Sequence, residues 1–251
     1  MAFLDGIVAE KEEEARLRRA FTEVTSPDPF RKRRSLEEAV AGPGMSFICE
    51  LKRASPSEGR IVDADAAEVA RAYESAGASA ISVLTDMGRF GGRLEDVSAV
   101  KHTVDVPVLR KDFIVHRRQV RDALFYGADA VLLIAAILRE KTADFVDFAG
   151  YVGLECLVEV HDERDLSYAL KSGSPLIGVN NRDLATMKVD LSTFERLATM
   201  IPDDRLVVAE SGIRTRRDVE RMSDAGADAV LVGTSLMRSK NPGEKLGELM
   251  G

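Results

Sequence analysis

A carboxylate and an amine stand two residues apart at the end of an apolar run, where Glu50 and Lys52 follow Phe47 and Ile48. Side chains alternate faces along a strand, so Glu50 and Lys52 share one face of this run. Opposite charges on an apolar strand are unfavourable unless their face opens into a polar site. The alternative is a partly exposed edge strand that carries a surface ion pair.

Other apolar runs end in the same way, with Lys111, Glu159, Asn180, Arg182 and Glu210 at or just beyond their last residues. Several of these side chains stand two residues from another member of the same run, so that they face the same side. Three carboxylates, two amines and a guanidinium would then meet in one pocket. Burial and neighbouring charges act on titration in opposite directions, so we expect perturbed pKa values there.

Two further turns have the composition of an anion site. Ser211 and Gly212 follow one apolar run, and Gly233, Thr234 and Ser235 follow the last run and open a short helix. Glycines let backbone amides approach an anion, and hydroxyl groups and a helix N-terminus add attraction. Each segment by itself could be an ordinary turn capped by Ser or Thr. Two neighbouring segments with the same composition favour a phosphate site.

The elements that must position these residues recur along the chain. A glycine flanked by alanines, at positions 77, 127 and 226, comes directly before a short apolar run each time, which is typical of a helix end that leads into a buried strand. Filling in the period of about 25 residues predicts eight strands, at residues 45–51, 80–85, 107–112, 130–134, 155–160, 176–180, 206–210 and 229–232.

Helical patterns separate these strands, at residues 65–76, 94–103, 116–126, 139–151, 162–172, 192–200, 214–225 and 243–250. Eight alternating units predict an α/β fold, a parallel (β/α)8 TIM barrel. The polar residues above then lie at the carboxyl ends of the strands, where this fold carries its sites. An open doubly wound sheet is the alternative, and the first unit lacks the Gly-x-Gly-x-x-Gly turn typical of it.

The first 44 residues contain no strand pattern. A charged amphipathic helix is predicted over residues 3–20, Ser26-Pro27-Asp28-Pro29 interrupts it, and Ser35 is placed to cap a second helix. We therefore expect an N-terminal helical extension over residues 1–44 and a catalytic barrel over residues 45–251, which together form a single domain.

Composition excludes several kinds of protein. The net charge of −7 argues against a nucleic-acid surface, and no apolar run approaches the length of a membrane span. Cys49 and Cys156 lie in apolar runs without a spacing pattern, as expected of reduced core residues in a cytoplasmic protein. The three histidines lack metal-ligand spacing, so we expect no metal and no cofactor.

These motifs, in this order, resemble the indole-3-glycerol phosphate synthase family from about residue 45 to the end of the chain. The residues that carry the resemblance are Glu50-Leu51-Lys52-Arg53-Ala54-Ser55-Pro56-Ser57-Glu58-Gly59, Ser82-Val83-Leu84-Thr85 with Phe90-Gly91-Gly92, Leu109-Arg110-Lys111-Asp112-Phe113, Leu157-Val158-Glu159-Val160-His161, Gly178-Val179-Asn180-Asn181-Arg182-Asp183-Leu184 and Ala209-Glu210-Ser211-Gly212-Ile213. The extension matches the additional N-terminal helices of the family.

The resemblance implies a carboxy-lyase of tryptophan biosynthesis. Its substrate, a phosphosugar joined to anthranilate, is 1-(2-carboxyphenylamino)-1-deoxyribulose 5-phosphate, which closes a ring, loses carbon dioxide and loses water. By the same resemblance Lys111 is the general acid for ring closure, and Glu159 is the base for dehydration with Lys52 or Lys111 as the acid. Glu50 orients the lysines, and Asn180 binds the sugar hydroxyls. We expect no nucleic acid or membrane partner, and a monomer.

The resemblance also implies a set of binding residues. Arg182 holds the substrate carboxylate, Glu210 lies at the sugar, and Ser55 orients the substrate. The anthranilate ring packs against Phe113 and Leu132. The phosphate is bound by Ser211, Gly212, Gly233 and Thr234.

Two other functions are weighed against this one. A phosphoribosylanthranilate isomerase needs a cysteine and an aspartate at the rim, whereas Cys49 faces outward by strand alternation. A non-catalytic phosphosugar-binding barrel would keep the phosphate turns without requiring both Lys111 and Glu159.

Overall fold

The structure, a computed structural model, describes residues 2–17, 32–56 and 59–251. Its strands are β1 (Ser46–Leu51), β2 (Ala54–Ser55), β3 (Gly59–Arg60), β4 (Ala80–Leu84), β5 (Val108–Lys111), β6 (Ala130–Ile134), β7 (Glu155–Val160), β8 (Leu176–Asn180), β9 (Leu206–Glu210) and β10 (Ala229–Val232).

The helices follow the strands in alternation. They are α1 (Ala2–Leu17), α2 (Leu36–Val40), α3 (Ala66–Ser75), α4 (Met87–Phe90), α5 (Leu94–Thr103), α6 (Arg117–Phe125), α7 (Ala135–Leu138), α8 (Thr142–Val152), α9 (Glu163–Ser172), α10 (Ser192–Ala198), α11 (Arg216–Asp224), α12 (Thr234–Met237) and α13 (Pro242–Met250).

Eight strands close a parallel barrel in the order β1, β4, β5, β6, β7, β8, β9 and β10, with β10 pairing back to β1. This confirms the predicted (β/α)8 barrel. The recurring glycines follow α3, α6 and α11 in the left-handed conformation, with φ of 100° at Gly77, 88° at Gly127 and 93° at Gly226. A glycine adopts this conformation without the steric penalty of a Cβ, so each helix ends sharply before the next strand.

Strand alternation divides the core into two layers. Ile48 and Leu109 belong to the cluster inside the barrel, whereas Cys49 and Leu51 pack in the layer between the barrel and its helices. The cysteines are reduced and buried, as their sequence context predicted. The inner apolar layer supports the carboxyl ends of the strands, so the polar residues there stand on a rigid base.

The N-terminal helices contact both ends of the barrel. In α2, whose cap Ser35 accepts a hydrogen bond from the Glu38 amide, the amides of Leu36 and Glu37 donate to Glu155 at the start of β7. At the other end, Lys11 of α1 forms ion pairs with Asp86, which follows β4, and with Asp112, which follows β5. The predicted break at Ser26-Pro27-Asp28-Pro29 and the predicted helical residues 18–20 lie outside the described residues.

Sequence patterns predicted the eight barrel strands to within one residue at each end, and the structure adds short elements to this plan. An antiparallel ribbon of β2 and β3 follows β1, and the one-turn helices α4, α7 and α12 follow other strands. The helix predicted from residue 139 begins instead with a 3-10 turn at Arg139–Lys141 before α8. None of the helices in the described ranges is long and apolar enough to cross a bilayer.

Candidate active site

One pocket of about 310 Å³ opens at the carboxyl ends of the barrel strands. Every site residue predicted from the sequence lines it: Glu50, Lys52, Ser55, Lys111, Phe113, Leu132, Glu159, Asn180, Arg182, Glu210, Ser211, Gly212, Gly233 and Thr234. These residues come from six barrel strands and from the segments that follow five of the barrel strands, which are far apart in sequence. The closed barrel brings them together because parallel strands all end at the same rim.

The centre of the pocket is an ammonium held by two carboxylates. Nζ of Lys111 at the end of β5 lies 3.0 Å from Glu159 Oε2 on β7 and 2.6 Å from Glu210 Oε2 on β9. Burial alone would lower the pKa of Lys111, but attraction by Glu159, Glu210 and Glu50 outweighs it and raises the pKa well above its usual range. Lys111 is therefore a cation that can hold or donate a proton inside the pocket.

The two carboxylates beside Lys111 titrate differently. Burial raises the pKa of Glu210, Lys111 opposes the rise and Glu159 adds to it, so that the pKa reaches about 7. Burial also acts to raise the pKa of Glu159, but the positive charges of Lys111 and His161 hold it well below its usual range. The pair thus holds an ionised carboxylate next to a carboxyl that exchanges a proton near neutral pH.

A second ion pair stands at the end of β1, where Lys52 Nζ lies 2.8 Å from Glu50 Oε1. Glycine is required at position 233 because a Cβ there would overlap the Glu50 carboxylate. Gly178 has the same relation to the Glu210 carboxylate. Two glycines thus leave room inside the barrel for two buried carboxylates, a role that the sequence reasoning did not give to either residue.

Beyond β8, the chain turns back over the pocket. The Arg182 amide donates a 3.0 Å hydrogen bond to Asn180 Oδ1, and its guanidinium donates a 3.0 Å bond to the Met187 carbonyl. Burial lowers the pKa of Arg182, although Glu50 acts in the opposite direction. The guanidinium is thus held in a partly desolvated place where an anionic ligand would strengthen its charge interactions.

One wall of the pocket is apolar and larger than predicted. In addition to Phe113 and Leu132, it includes a second aromatic ring, Phe90, whose centroid lies 6.2 Å from that of Phe113. Sequence reasoning missed the other apolar lining residues Leu84, Ile134, Leu184, Met187, Val189 and Leu231. Strand alternation was a usable signal for Leu84, Ile134 and Leu231, whereas Leu184 and Met187 lie in an irregular loop without one.

The two turns predicted to bind phosphate lie side by side. Ser211 and Gly212 both have positive φ, 64° and 89°, which turns the chain sharply after β9. Ser235 Oγ donates a 3.0 Å hydrogen bond to the Ile213 carbonyl and ties the two turns together. Two exposed arginines that were not predicted, Arg214 and Arg238, line the pocket beside these turns and add positive charge.

His161 is a further residue to which sequence reasoning gave no role. Its ring is mostly buried behind Glu159, with Nε2 3.1 Å from Glu159 Oε1 and Nδ1 3.3 Å from Asp165 Oδ2. Burial alone would lower the pKa of His161, but Asp165 and Glu159 raise it to about 9. Its position two residues after Glu159 was the available signal, since alternation puts both on one side.

Metal ligands are not grouped in the part of the chain that the structure describes: no three His, Cys, Asp or Glu side chains there are arranged to hold an ion. The residues of the pocket instead offer ammonium, guanidinium and carboxylate groups beside an apolar wall and the two turns predicted to bind phosphate. This combination suits proton transfer on a phosphorylated substrate that also carries an aromatic ring.

A family model described as indole-3-glycerol phosphate synthase matches residues 4–249. A protein of that name from Streptomyces griseus is 49% identical over 214 residues, which cover 84% of this chain and 80% of its own. Another from Desulfotalea psychrophila is 44% identical over an alignment of 255 positions that covers 98% of this chain and 97% of its own.

A comparison of folds gives the same architecture. The solved structure of a thiamine phosphate pyrophosphorylase from Pyrococcus furiosus superposes with a TM-score of 0.64 at 18% identity, over 86% of this chain and 96% of its own. At that identity the likeness concerns the barrel fold alone.

Proposed function

The chain belongs to the indole-3-glycerol phosphate synthase family of carboxy-lyases, and we propose how its pocket performs ring closure, decarboxylation and dehydration. The substrate is 1-(2-carboxyphenylamino)-1-deoxyribulose 5-phosphate, and the product is indole-3-glycerol phosphate. The observation that carries the proposal is the position of Lys111, which bridges Glu159 and Glu210 in a pocket that is also lined by an apolar wall and by the two turns predicted to bind phosphate.

Binding fixes the two ends of the substrate. The phosphate lies against Ser211, Gly212, Gly233 and Thr234, while the anthranilate ring packs on Phe113 and Leu132. Arg182 pairs with the substrate carboxylate, and Ser55, Asn180 and Glu210 orient the sugar. Fixing both ends brings the ring carbon close to the ketone carbon and reduces the entropy lost on closure.

Ring closure needs a proton for the ketone oxygen as the new carbon–carbon bond forms. Lys111 donates it, because its carboxylate neighbours keep the amine protonated until the substrate oxygen develops negative charge. The bond to the carboxyl group then breaks, carbon dioxide leaves, and the electrons of that bond return to the ring. These two steps leave a hydroxyl on the newly formed five-membered ring.

Dehydration removes this hydroxyl and a ring proton. Glu159 accepts the proton, a role supported by a pKa that keeps it ionised throughout the neutral range. Either Lys52 or Lys111 protonates the departing hydroxyl, and Glu50 holds Lys52 in place through their 2.8 Å ion pair. Water is the product of this last step, so that no oxidant or reductant is required.

The remaining proposals concern the domain organisation, the cellular compartment and the oligomeric state of the chain. Residues 1–44 form a helical extension on a barrel of residues 45–251, and the chain acts in the cytoplasm as a monomer. Two reduced, buried cysteines are compatible with a reducing compartment. Light scattering of the purified chain measures the oligomeric state directly.

The experiment is a fluorescence assay of indole formation from the anthranilate–ribulose phosphate by the wild type and Glu159→Gln. We expect turnover by the wild type and a loss of about 10²-fold or more in the variant, as for removal of a general base. Wild-type turnover in Glu159→Gln would remove the proposed base from the mechanism.

A further inference from the structure

His161 stands between two carboxylates at the back of the pocket. Its Nε2 lies 3.1 Å from Glu159 Oε1, and its Nδ1 lies 3.3 Å from Asp165 Oδ2 at the start of α9. The Asp165 oxygen also accepts the backbone amide of His161 at 3.1 Å. The ring is therefore held from the outer side and directed at the proposed base.

The geometry determines the charge of the ring. An ionised carboxylate oxygen only accepts hydrogen bonds, so an imidazole that faces a carboxylate at each nitrogen is best matched when both nitrogens carry hydrogen. The Nε2 atom is buried and has no aligned hydrogen-bond acceptor among the described residues. Its 3.1 Å contact with Glu159 Oε1 is short enough for an ion pair, in which the charge of the ring acts on the carboxylate.

A charge at this position matters because two carboxylates share one ammonium at the centre of the pocket. Glu159 and Glu210 both contact one cation, Lys111, and two ionised carboxylates at such short range repel each other. A second cation stabilises whichever carboxylate it touches. His161 touches Glu159 and thereby makes the two carboxylates unequal.

We propose that His161 is a positioning residue for the reaction, whose imidazolium assigns the negative charge to Glu159 and leaves the proton of the carboxylate pair on Glu210. The inference rests on the proposed role of Glu159 as the base. Without the imidazolium, the proton would divide between Glu159 and Glu210, and a fraction of the enzyme would lack its base.

The surrounding charges agree with this assignment. Glu159 faces the ring from its own strand, Asp165 faces it from α9, and Asp183 of the loop after β8 interacts with it electrostatically. Asp165 and Glu159 raise the pKa of the ring to about 9 against the effect of burial, and Asp183 is a third carboxylate in its electrostatic surroundings. The ring is cationic throughout the neutral range, where Glu159 has to be ionised.

The test compares the pH profiles of kcat for the wild type and His161→Gln, with the exposed His102→Gln as the matched control. Loss of the positive charge raises the pKa of Glu159, so the acid limb of the His161→Gln profile should move up by about one pH unit. We expect a loss that approaches tenfold on the acid limb, an unchanged KM, and convergence of the two profiles at pH values above that limb. His102→Gln should follow the wild type.

A defect in His161→Gln that is equal at every pH would overturn the proposal, because it indicates a structural role alone. NMR titration of the His161 ring in the wild type is the second measurement, since it does not depend on how the variant folds. A titration midpoint near 9 supports the assignment, and a midpoint at or below the ordinary value of 6.5 overturns it. If Glu159→Gln is fully active, the proposed role of Glu159 as the base is wrong, and this inference is wrong with it. If only the His161 measurements differ from these expectations, the role of Glu159 stands and this inference alone is wrong.

Discussion

The Lys111 ammonium lies 2.6 Å from the Glu210 carboxylate, which is buried, whereas the lysine side chain remains 14% exposed to the pocket. The same ammonium also contacts Glu159, so the proposed acid and the proposed base are paired directly. Its two partners come from β7 and β9, and only the closed barrel brings these strand ends close to β5. The chemistry therefore depends on barrel closure.

The first prediction concerns Glu210, whose pKa rises from 4.5 to about 7 in the folded protein. Between these two pH values the folded chain binds more protons than the unfolded chain, so stability falls as pH rises through this window. Glu210→Gln lacks the titration, and at pH 8 it should be more stable than the wild type by up to about 3 kcal/mol. Urea unfolding near pH 4.5 and pH 8 measures the difference, with the exposed Glu12→Gln as control. A stability difference that does not grow with pH would contradict the assignment.

The second prediction concerns Gly233. A Cβ at this position overlaps the Glu50 carboxylate, so Gly233→Ala should displace Glu50 from Lys52 while the fold is kept. We expect turnover to fall by about 10²-fold, the effect of small misplacements in a catalytic group. Gly247→Ala is the control, since its Cβ meets nothing within 4 Å. Normal turnover in Gly233→Ala would show that the position of Glu50 has little effect on the chemistry.

A third prediction separates the hydroxyl of Ser211 from its backbone, which has a φ of 64°. Ser211→Ala and Ser211→Gly both remove the hydroxyl, so each should raise KM for the phosphorylated substrate by about tenfold. Only glycine relieves the left-handed conformation, and it should leave the protein more stable than alanine by ~1 kcal/mol. Steady-state kinetics and thermal unfolding provide the two readouts. Unchanged KM in both variants argues against a phosphate contact by the hydroxyl.

The fourth prediction concerns the anchor of the extension. Lys11 is 3% exposed and lies 2.8 Å from Asp86 and 3.3 Å from Asp112, the residue after Lys111. Lys11→Met leaves both buried carboxylates without this cation, and we expect a loss of about 3–5 kcal/mol. Arg16→Met on the same helix removes an exposed ion pair and should change stability by less than ~1 kcal/mol. Equal unfolding midpoints for the two variants would mean that the extension is not anchored through Lys11.

Sequence patterns predicted much of this site because its residues occupy regular strand ends. Alternation in β1 and β5 put Glu50, Lys52 and Lys111 on the inner face, and the structure has them lining the pocket. What alternation cannot give is which side chains meet. The Lys111–Glu210 contact joins residues 99 positions apart, and it depends on the register between strands.

Other features had weaker signals. A lysine on an amphipathic helix normally faces solvent, so the sequence of α1 does not indicate that Lys11 is buried between two aspartates. Leu184 and Met187 line the pocket from a loop whose conformation is fixed by contacts such as that between Arg182 and the Met187 carbonyl. The sequence of an irregular loop has no periodic pattern from which such an arrangement could be predicted.

The most direct test of the account is the turnover of Lys111→Arg, measured by indole fluorescence with the anthranilate–ribulose phosphate as substrate. Arginine keeps the positive charge between Glu159 and Glu210 but is a far poorer proton donor with a larger, planar head. We predict nearly unchanged substrate affinity and a loss of turnover of ~10²-fold or more, while Lys52→Arg retains more activity. Near-normal turnover in Lys111→Arg would contradict the assignment of Lys111 as the proton donor and leave it an electrostatic role only.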